Sequence, residues 1–479
     1  MKLLQALEAE SRKLEHSSTE RERITQHVLD YIETFFEKLP DLPSVLKESA
    51  CADQYDSQPF LQPDSTDITS IIDEMESTID SNGINLTSGK YLGYIPGGSL
   101  YGSALGDLLA AISNRYAGLY FASPGAVKLE NSLIRWMANI IGYPDTVGGT
   151  LNSGGSISNL IAVITSRDAK GMLEPPVEKS VIYCTDQTHH SVNKAIHIAG
   201  LSRATIRYIK VDSRYRMLTT DLSQTITEDI QNGLRPSLII ATAGTTNCGA
   251  VDPLTEIAEI ARANDIWFHV DGAYGGLFNL CPEGRAVLKG IELSDSVTLD
   301  PHKTFFLPYG TGTILVRDRK KLFAAFNASA DYLLDFPDMD EEWSPADMSP
   351  ELTRHFRGLR LWLPLKLHGT DTFKAALSEK IHLARYFYEQ IKTVPNFECN
   401  LSPELSIVTY RYIPNSGDPD AFNDKLMKAV NLSGNSFISS TRLNGNLVLR
   451  AAVLCFRTHK EHIDLLLQTL KEKSMEMDC

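Results

Sequence analysis

The sequence predicts an α/β protein with a mostly parallel sheet and a second, smaller unit, and one pattern indicates each of them. Between about residues 90 and 320, short β-branched runs alternate with helical stretches. Such alternation is typical of parallel strands covered by helices on both faces. After about residue 375, alternating polar and apolar positions surround a hairpin signal, which indicates a second, smaller α+β unit.

The N-terminal segment, residues 1–88, is predicted to be mainly helical. Ile24, Val28 and Ile32 fall on one face of a helix whose other face is charged. The stretch 39–64 is punctuated by prolines and predicts a connector. Because the apolar stripe needs a partner, we expect it to pack on a second subunit.

Residues 89–374 are predicted to form the large domain. Its strand-like runs are SVIYCTD, TIRYIKV, SLIIATAGTT, DIWFHVDGAYGG, DSVTLD and GTILVRD. In open α/β sheets, ligands bind at the carboxyl ends of the strands. The loops that follow these runs are therefore the expected site.

Residues 375–479 are predicted to form the small C-terminal α+β domain. The run LSIVTYRYIP alternates as a strand, and Asn444-Gly445 lies between two strand-like runs, which predicts a tight hairpin. The final run THKEHIDLLLQTLKEK predicts an amphipathic helix.

Composition narrows the class of partner. The chain has 479 residues and a formal net charge of −14, so it carries no electrostatic footprint for nucleic acid or anionic membrane. Its charged start lacks the apolar core of a signal peptide, and no run is long enough to cross a bilayer. The seven cysteines lack metal-ligand spacing. We expect a cytoplasmic protein that binds a small molecule and no metal.

The stretch 148–166, GGTLNSGGSISNLIAVITS, runs from a glycine loop into a helical pattern. Free N–H groups and the positive end of the helix dipole favour an anion there, and glycine lets a phosphate approach. It is neither a Walker loop nor G-x-G-x-x-G. The alternative is a plain N-cap after a flexible turn.

Polar groups follow the next strands. Asp271 ends a buried strand on the same face as His269, where a carboxylate must meet a cation or several donors. His189 follows another strand and is able to stack on a flat ring or pass a proton. Thr245 and Thr246 supply hydroxyls at a further strand end. Each has an ordinary structural alternative, such as a salt bridge, a core histidine or a loop residue.

Lys303 follows a strand end and precedes the apolar run Thr304–Leu307. Because an unpaired ammonium is costly to bury, the setting suggests a neutral, nucleophilic amine. The alternative is a stem that carries its charge to solvent.

Taken together, these strand ends offer an anion cradle, a flat-faced histidine, hydroxyls, a carboxylate and an amine. Pyridoxal 5′-phosphate (PLP) has the matching features, which are a phosphate, an aromatic nitrogen that pairs with a carboxylate, and an aldehyde that condenses with an amine.

The order of these motifs resembles the group II PLP-dependent amino-acid decarboxylases, which include the aromatic-L-amino-acid and glutamate decarboxylases. The resemblance covers roughly residues 90–370. The matching stretches are FASPGAVKLENSLIRWM, GGSISN, HVDGAYGG and DPHK. It implies the PLP-dependent transferase-like fold, that of the aspartate aminotransferases (fold type I), and a homodimer in which the N-terminal helices pack across the interface.

The resemblance also implies roles for single residues. Lys303 would hold PLP as the internal aldimine, and Asp271 would pair with the ring nitrogen. His189 would stack on the ring, and His302 would assist with phosphate or proton delivery. The other cofactor-binding positions that it implies are Gly155, Ser156, Thr246 and Ala273.

An acidic segment, residues 326–343, resembles the family's mobile catalytic loop. Its Tyr332 matches the tyrosine that protonates the substrate carbon, and a phenylalanine there accompanies aldehyde-forming relatives. Tyr332 therefore favours simple decarboxylation. Arg357, in the segment after the loop, suits a structural ion pair as well as a substrate contact.

Two departures from the family pattern affect the prediction. Asp300 replaces the usual asparagine before Pro-His-Lys, and a second carboxylate near a phosphate repels it unless it is paired. Gly272 replaces the usual alanine after Asp271.

The predicted function is PLP-dependent decarboxylation of an L-amino acid to the amine and CO₂. Residues 90–103 and 117–124 resemble family segments that shape the substrate end of the site, and their aromatic and aliphatic side chains suit an aromatic or apolar substrate. The alternative is that these aromatic residues belong to the core. One alternative is another outcome on the same fold, either retro-aldol cleavage or transamination. The other is a catalytically silent, partner-binding homologue.

Overall fold

The computed structural model describes residues 1–46, 65–327 and 342–478. Its N-terminal part is mainly helical, as predicted. The elements are α1 (Lys2–Ser11), α2 (Ser18–Lys38), β1 (Val45–Leu46), α3 (Ile68–Met75) and β2 (Gly83–Ile84). None of the residues of α1 or α2 is buried, and on the apolar stripe of α2 Val28 is exposed while Ile24 and Ile32 are half-buried.

A seven-stranded sheet forms the centre of the large domain. Its strands are β3 (Gly148–Asn152), β4 (Ser180–Cys184), β5 (Thr205–Tyr208), β6 (Arg235–Thr242), β7 (Trp267–Gly272), β8 (Ser296–Leu299) and β9 (Gly312–Val316). The order is β3-β9-β8-β7-β6-β4-β5, and β9 runs antiparallel to both of its neighbours. The predicted mostly parallel α/β sheet is therefore confirmed.

Helices cover both faces of this sheet. Successive side chains of a strand point to opposite faces, so a strand that is buried throughout has apolar side chains on both of them. Val181 and Tyr183 join one apolar cluster, and Ile182 and Cys184 join the other. The helices are α4 (Tyr101–Ser113), α5 (Pro124–Ile141), α6 (Gly155–Ala169), α7 (His190–Ile198), α8 (Thr219–Gln231), α9 (Leu254–Ala263), α10 (Pro282–Val287), α11 (Pro301–Thr304), α12 (Arg319–Phe326) and α13 (Gly358–His368).

The glycine-rich start of the stretch 148–166 differs from the prediction. Residues 148–152 form the buried strand β3 instead of a loop, and they pair with β9. A Cβ on Gly149 would lie 2.4 Å from the carbonyl oxygen of Ile314. Glycine is thus the residue that allows this close strand contact.

The small domain contains an antiparallel sheet of order β10-β11-β13-β12. Its elements are α14 (Thr370–Ile391), β10 (Phe397–Glu398), β11 (Ile407–Tyr412), α15 (Pro419–Leu432), β12 (Ser439–Leu443), β13 (Asn446–Ala452) and α16 (Lys460–Met477). The predicted hairpin joins β12 to β13 through Asn444 and Gly445, which have φ values of 50° and 80°. The boundaries at residues 88 and 374 stay predictions, and α14 runs through the second of them.

Across the three described ranges, no helix combines the length and apolar character needed to cross a bilayer.

Candidate active site

The carboxyl ends of β3, β4, β6, β7 and β8 meet around one cavity of about 290 Å³. This cavity collects every cofactor-binding residue that the sequence predicted. They are Gly155, Ser156, His189, Thr246, Asp271, Ala273, His302 and Lys303. Tyr332 lies outside the described residues.

The start of α6 forms one wall of the cavity. Asn152 Oδ1 accepts a hydrogen bond from the Gly154 amide at 2.9 Å, which fixes the turn from β3 into the helix. A Cβ on Gly155 would lie 2.8 Å from Asp300 Oδ2 and 3.1 Å from Ala273 Cβ. Glycine therefore brings the first N–H groups of the helix close to the cavity, where they suit an anion.

Asp271 is a buried carboxylate with a donor on each oxygen. Asn159 Nδ2 donates to Oδ2 at 2.9 Å, and the Ala273 amide donates to Oδ1 at 3.1 Å. Asp271 thus presents a carboxylate with a donor on each oxygen to the cavity.

The two cavity histidines are held by hydrogen bonds and are partly or largely buried. His189 Nδ1 lies 2.8 Å from Ser191 Oγ, and His302 Nδ1 donates to the Thr311 carbonyl oxygen at 2.7 Å. Burial lowers the pKa of both rings. Both are therefore neutral near pH 7, which suits stacking or proton transfer.

Lys303 forms an ion pair with Asp300, at 2.8 Å between Nζ and Oδ2. Burial lowers the pKa of the amine, but the Asp300 carboxylate outweighs this and holds the pKa above its ordinary value. The expectation of a neutral amine is therefore wrong for this arrangement. The apolar run after Lys303 suggested a neutral amine, whereas the carboxylate of Asp300, three residues earlier, raises the pKa of the amine.

Arg357 forms a structural ion pair, which was one of its two predicted roles. Its guanidinium donates to both carboxylate oxygens of Glu351 at 3.0 and 3.1 Å. Sequence reasoning missed Asn159, which contacts Asp271 from α6. A signal was available, since Asn159 lies one helical turn after Gly155 and so faces the same side.

Comparison with known proteins identifies the family. A family model for the pyridoxal-dependent decarboxylase conserved domain matches residues 54–413. The chain belongs to the pyridoxal-dependent decarboxylase family. This decarboxylase is 35% identical over 392 residues to an aromatic-L-amino-acid decarboxylase of Bacillus atrophaeus, covering 81% of each chain. It is 29% identical over 462 residues to a phenylacetaldehyde synthase of Arabidopsis thaliana, covering 93% of this chain and 94% of the relative.

The decarboxylase also shares its fold with a crystal structure of Oryza sativa TDC with PLP and tryptamine. The TM-score is 0.90 at 24% identity, covering 97% of this chain and 99% of the other. The predicted fold type I is thereby confirmed. The protein is a PLP-dependent carboxy-lyase of amino-acid metabolism.

The residues around the cavity fit PLP. The glycine cradle at α6, the carboxylate of Asp271 and the amine of Lys303 match a phosphate, a ring nitrogen and an aldehyde. A Cβ at residue 155 would meet Asp300 and Ala273, so glycine lets the helix start pack closely against these cavity residues.

Proposed function

We propose that this enzyme converts an aromatic L-amino acid to the corresponding amine and CO₂. The observation that carries the proposal is the meeting of Asp271, Lys303 and the start of α6 in one cavity. Bound PLP supplies an aldehyde for covalent attachment and a cationic ring that draws electrons from the substrate carbon.

Each residue has a stated part in the proposal. Lys303 holds the cofactor covalently, and Asp271 keeps the ring nitrogen protonated. The start of α6 and Thr246 bind the phosphate and neighbouring groups, while His189 lies against the ring. The remaining parts fall to Ala273, which leaves room beside the ring, His302, which assists with proton delivery, and Tyr332, which protonates the substrate carbon.

The preference for an aromatic side chain is supported by what lines the cavity. Among its described lining residues there is no arginine, and Lys303 is the only lysine. An acidic substrate side chain would need a cation of its own. The likeness to the Bacillus atrophaeus aromatic-L-amino-acid decarboxylase points the same way.

A second candidate is conversion to an aldehyde, which the likeness to phenylacetaldehyde synthase favours. Tyr332 separates the two candidates, because a proton delivered to the substrate carbon yields the amine. We expect the Tyr332→Phe variant to release aldehyde at the expense of amine.

The test is a panel of aromatic, aliphatic, basic and acidic L-amino acids assayed for CO₂, amine, aldehyde and keto acid. We expect CO₂ and amine in equal amounts, with aromatic substrates the fastest. Aldehyde as the main product of the unaltered enzyme would favour the second candidate or retro-aldol cleavage. Keto acid would indicate transamination.

The proposal includes a cytoplasmic homodimer. The exposed apolar residues of α1 and α4 suit a subunit interface, and they include Leu3, Leu4, Leu7, Leu108, Leu109 and Ile112. Cys184, Cys248, Cys281, Cys399 and Cys455 are buried with free thiols, which suits a reducing compartment.

A further inference from the structure

The carboxylate of Asp300, which is paired with Lys303, has fewer hydrogen-bond donors than the carboxylate of Asp271. Asp300 is 1% exposed, and one of its oxygens, Oδ2, lies 2.8 Å from Lys303 Nζ. Its other oxygen, Oδ1, is buried and has no hydrogen-bond partner among the described residues. Asp271, in contrast, has a donor on each oxygen.

This difference separates the chemistry of the two carboxylates. Both oxygens of Asp271 are occupied by donors, whereas Asp300 has one oxygen on the amine and one oxygen without a donor among the described residues. Asp300 also lies within hydrogen-bond reach of the amine, as a general base must. It is therefore placed to exchange a proton with Lys303 directly.

We propose that Asp300 is the general base and acid for the reactions of Lys303 with an aldehyde, an inference that rests on the proposed function. Oδ2 takes one proton from the ammonium, and the nitrogen lone pair bonds to the aldehyde carbon. A second nitrogen proton moves to the former carbonyl oxygen. Asp300 then returns its proton to that oxygen, which leaves as water, and the nitrogen keeps one proton and the positive charge.

This assignment explains the departure at position 300. An asparagine there can hold a phosphate or a hydroxyl, but it has no proton to exchange. Asp300 instead forms a pair with Lys303 whose total charge is zero. A proton that moves from the ammonium to the carboxylate leaves this total charge unchanged and stays inside the cavity. The titratable groups that interact with the pair are Asp271, His189, His302 and Tyr309, and Arg360 in turn acts on His302.

The test follows cofactor uptake by the full-length chain after its cofactor has been removed, by absorbance from about pH 7 to about pH 9. For the unaltered protein we expect a rate constant nearly independent of pH, because the proton moves within the pair. In Asp300→Asn the amine loses the carboxylate that raises its pKa and must release its proton to water, so we expect the rate to rise with pH until the amine is neutral. At pH 7 the variant should be slower by about a hundredfold.

Two further variants complete the test. Asp229→Asn removes another buried carboxylate, which pairs with Arg207 at 2.6 Å, and it should take up cofactor as the unaltered protein does. Formate should restore part of the rate to Asp300→Ala, because it supplies a carboxylate to the vacated space. A structural role alone would show no such rescue.

The inference is overturned if Asp300→Asn takes up cofactor as fast as the unaltered protein at every pH. If the variants do not fold, a tenfold rise per pH unit in the unaltered protein overturns it just as well. Borohydride reduction and peptide mapping distinguish this from failure of the proposed function. An adduct on Lys303 with unchanged kinetics rejects only the role of Asp300, whereas no adduct on Lys303 rejects the proposed function.

Discussion

At the scale of single residues, a chain of hydrogen bonds fixes Asp271. Trp267 Nε1 donates to Ser296 Oγ at 2.9 Å, and Ser296 Oγ lies 2.9 Å from His269 Nδ1. His269 Nε2 lies 3.1 Å from Asn159 Oδ1, which only accepts, so His269 carries a proton on Nε2. The Asn159 amide is thus oriented with its NH₂ group toward Asp271. Burial lowers the pKa of His269 and so favours the neutral ring, in which Nδ1 accepts from the Ser296 hydroxyl.

Titration of His269 gives a prediction about stability. Burial lowers the pKa of His269 to about 4, from an ordinary value of 6.5. Between these pH values the unfolded chain binds more protons at His269 than the folded chain does. The contribution of His269 to the unfolding free energy is therefore complete above about pH 6.5 and is lost as the pH falls toward 4. From pH 7 to pH 5 we expect a loss of about 2 kcal/mol from this residue.

Urea unfolding at both pH values checks this prediction. The His269→Gln variant should show a pH-dependent loss of unfolding free energy smaller by that amount, although it is less stable at pH 7. His197→Gln changes an exposed histidine of α7 and is the control. Equal pH dependence in His269→Gln and the unaltered protein would contradict the account.

At the scale of elements, the start of α6 is the anion-binding part of the site. Its position depends on the close packing of Gly155 against Asp300 and Ala273. Because α6 follows β3 directly and Asp300 follows β8, the helix start and the ion pair share one edge of the sheet.

A single methyl group tests this packing. The Cβ of Gly155→Ala would lie 2.8 Å from Asp300 Oδ2, so the helix start must shift. Overpacking costs about 1 to 3 kcal/mol, and we expect the Kd for PLP to rise about tenfold or more. Gly125→Ala is the matched control, since its Cβ would have no atom within 4 Å. A Kd for PLP in Gly155→Ala equal to that of the unaltered protein would show that the close contact is not needed for cofactor binding.

At the scale of the whole molecule, α4 carries an exposed apolar surface. It packs against α13 on one side. On the other side Leu108, Leu109 and Ile112 are 53%, 51% and 75% exposed, and they form a patch on one helix face. A patch of this kind suits burial against a second copy of the chain.

Charges placed in this patch should prevent the proposed homodimer from forming. We expect the double variant Leu109→Glu, Ile112→Glu to sediment as a monomer, because two buried carboxylates would face an apolar interface. Leu432→Glu, at an isolated position on α15 that is 83% exposed, should leave the dimer intact. A double variant that sediments like the unaltered protein would place the interface elsewhere.

Much of the site follows from the sequence because parallel strands end at the same edge of a sheet. Lys303, Asp271, His189 and the start of α6 each follow a recognisable strand or glycine turn, and the fold brings them together. The charge of Lys303 did not follow, because it depends on the direction of a neighbouring side chain. Asn159 was missed because its partner Asp271 lies 112 residues away. The buried strand β3 was missed because its glycines are typical of loops.

The most direct test of the central claim is covalent mapping of the cofactor on the holoenzyme. After borohydride reduction and proteolysis, we predict that the PLP adduct lies on Lys303. Lys303→Ala should carry no adduct, while Lys170→Ala, which removes a lysine paired with Asp265, should carry it as before. An adduct on another lysine, or none in the unaltered enzyme, would contradict the account.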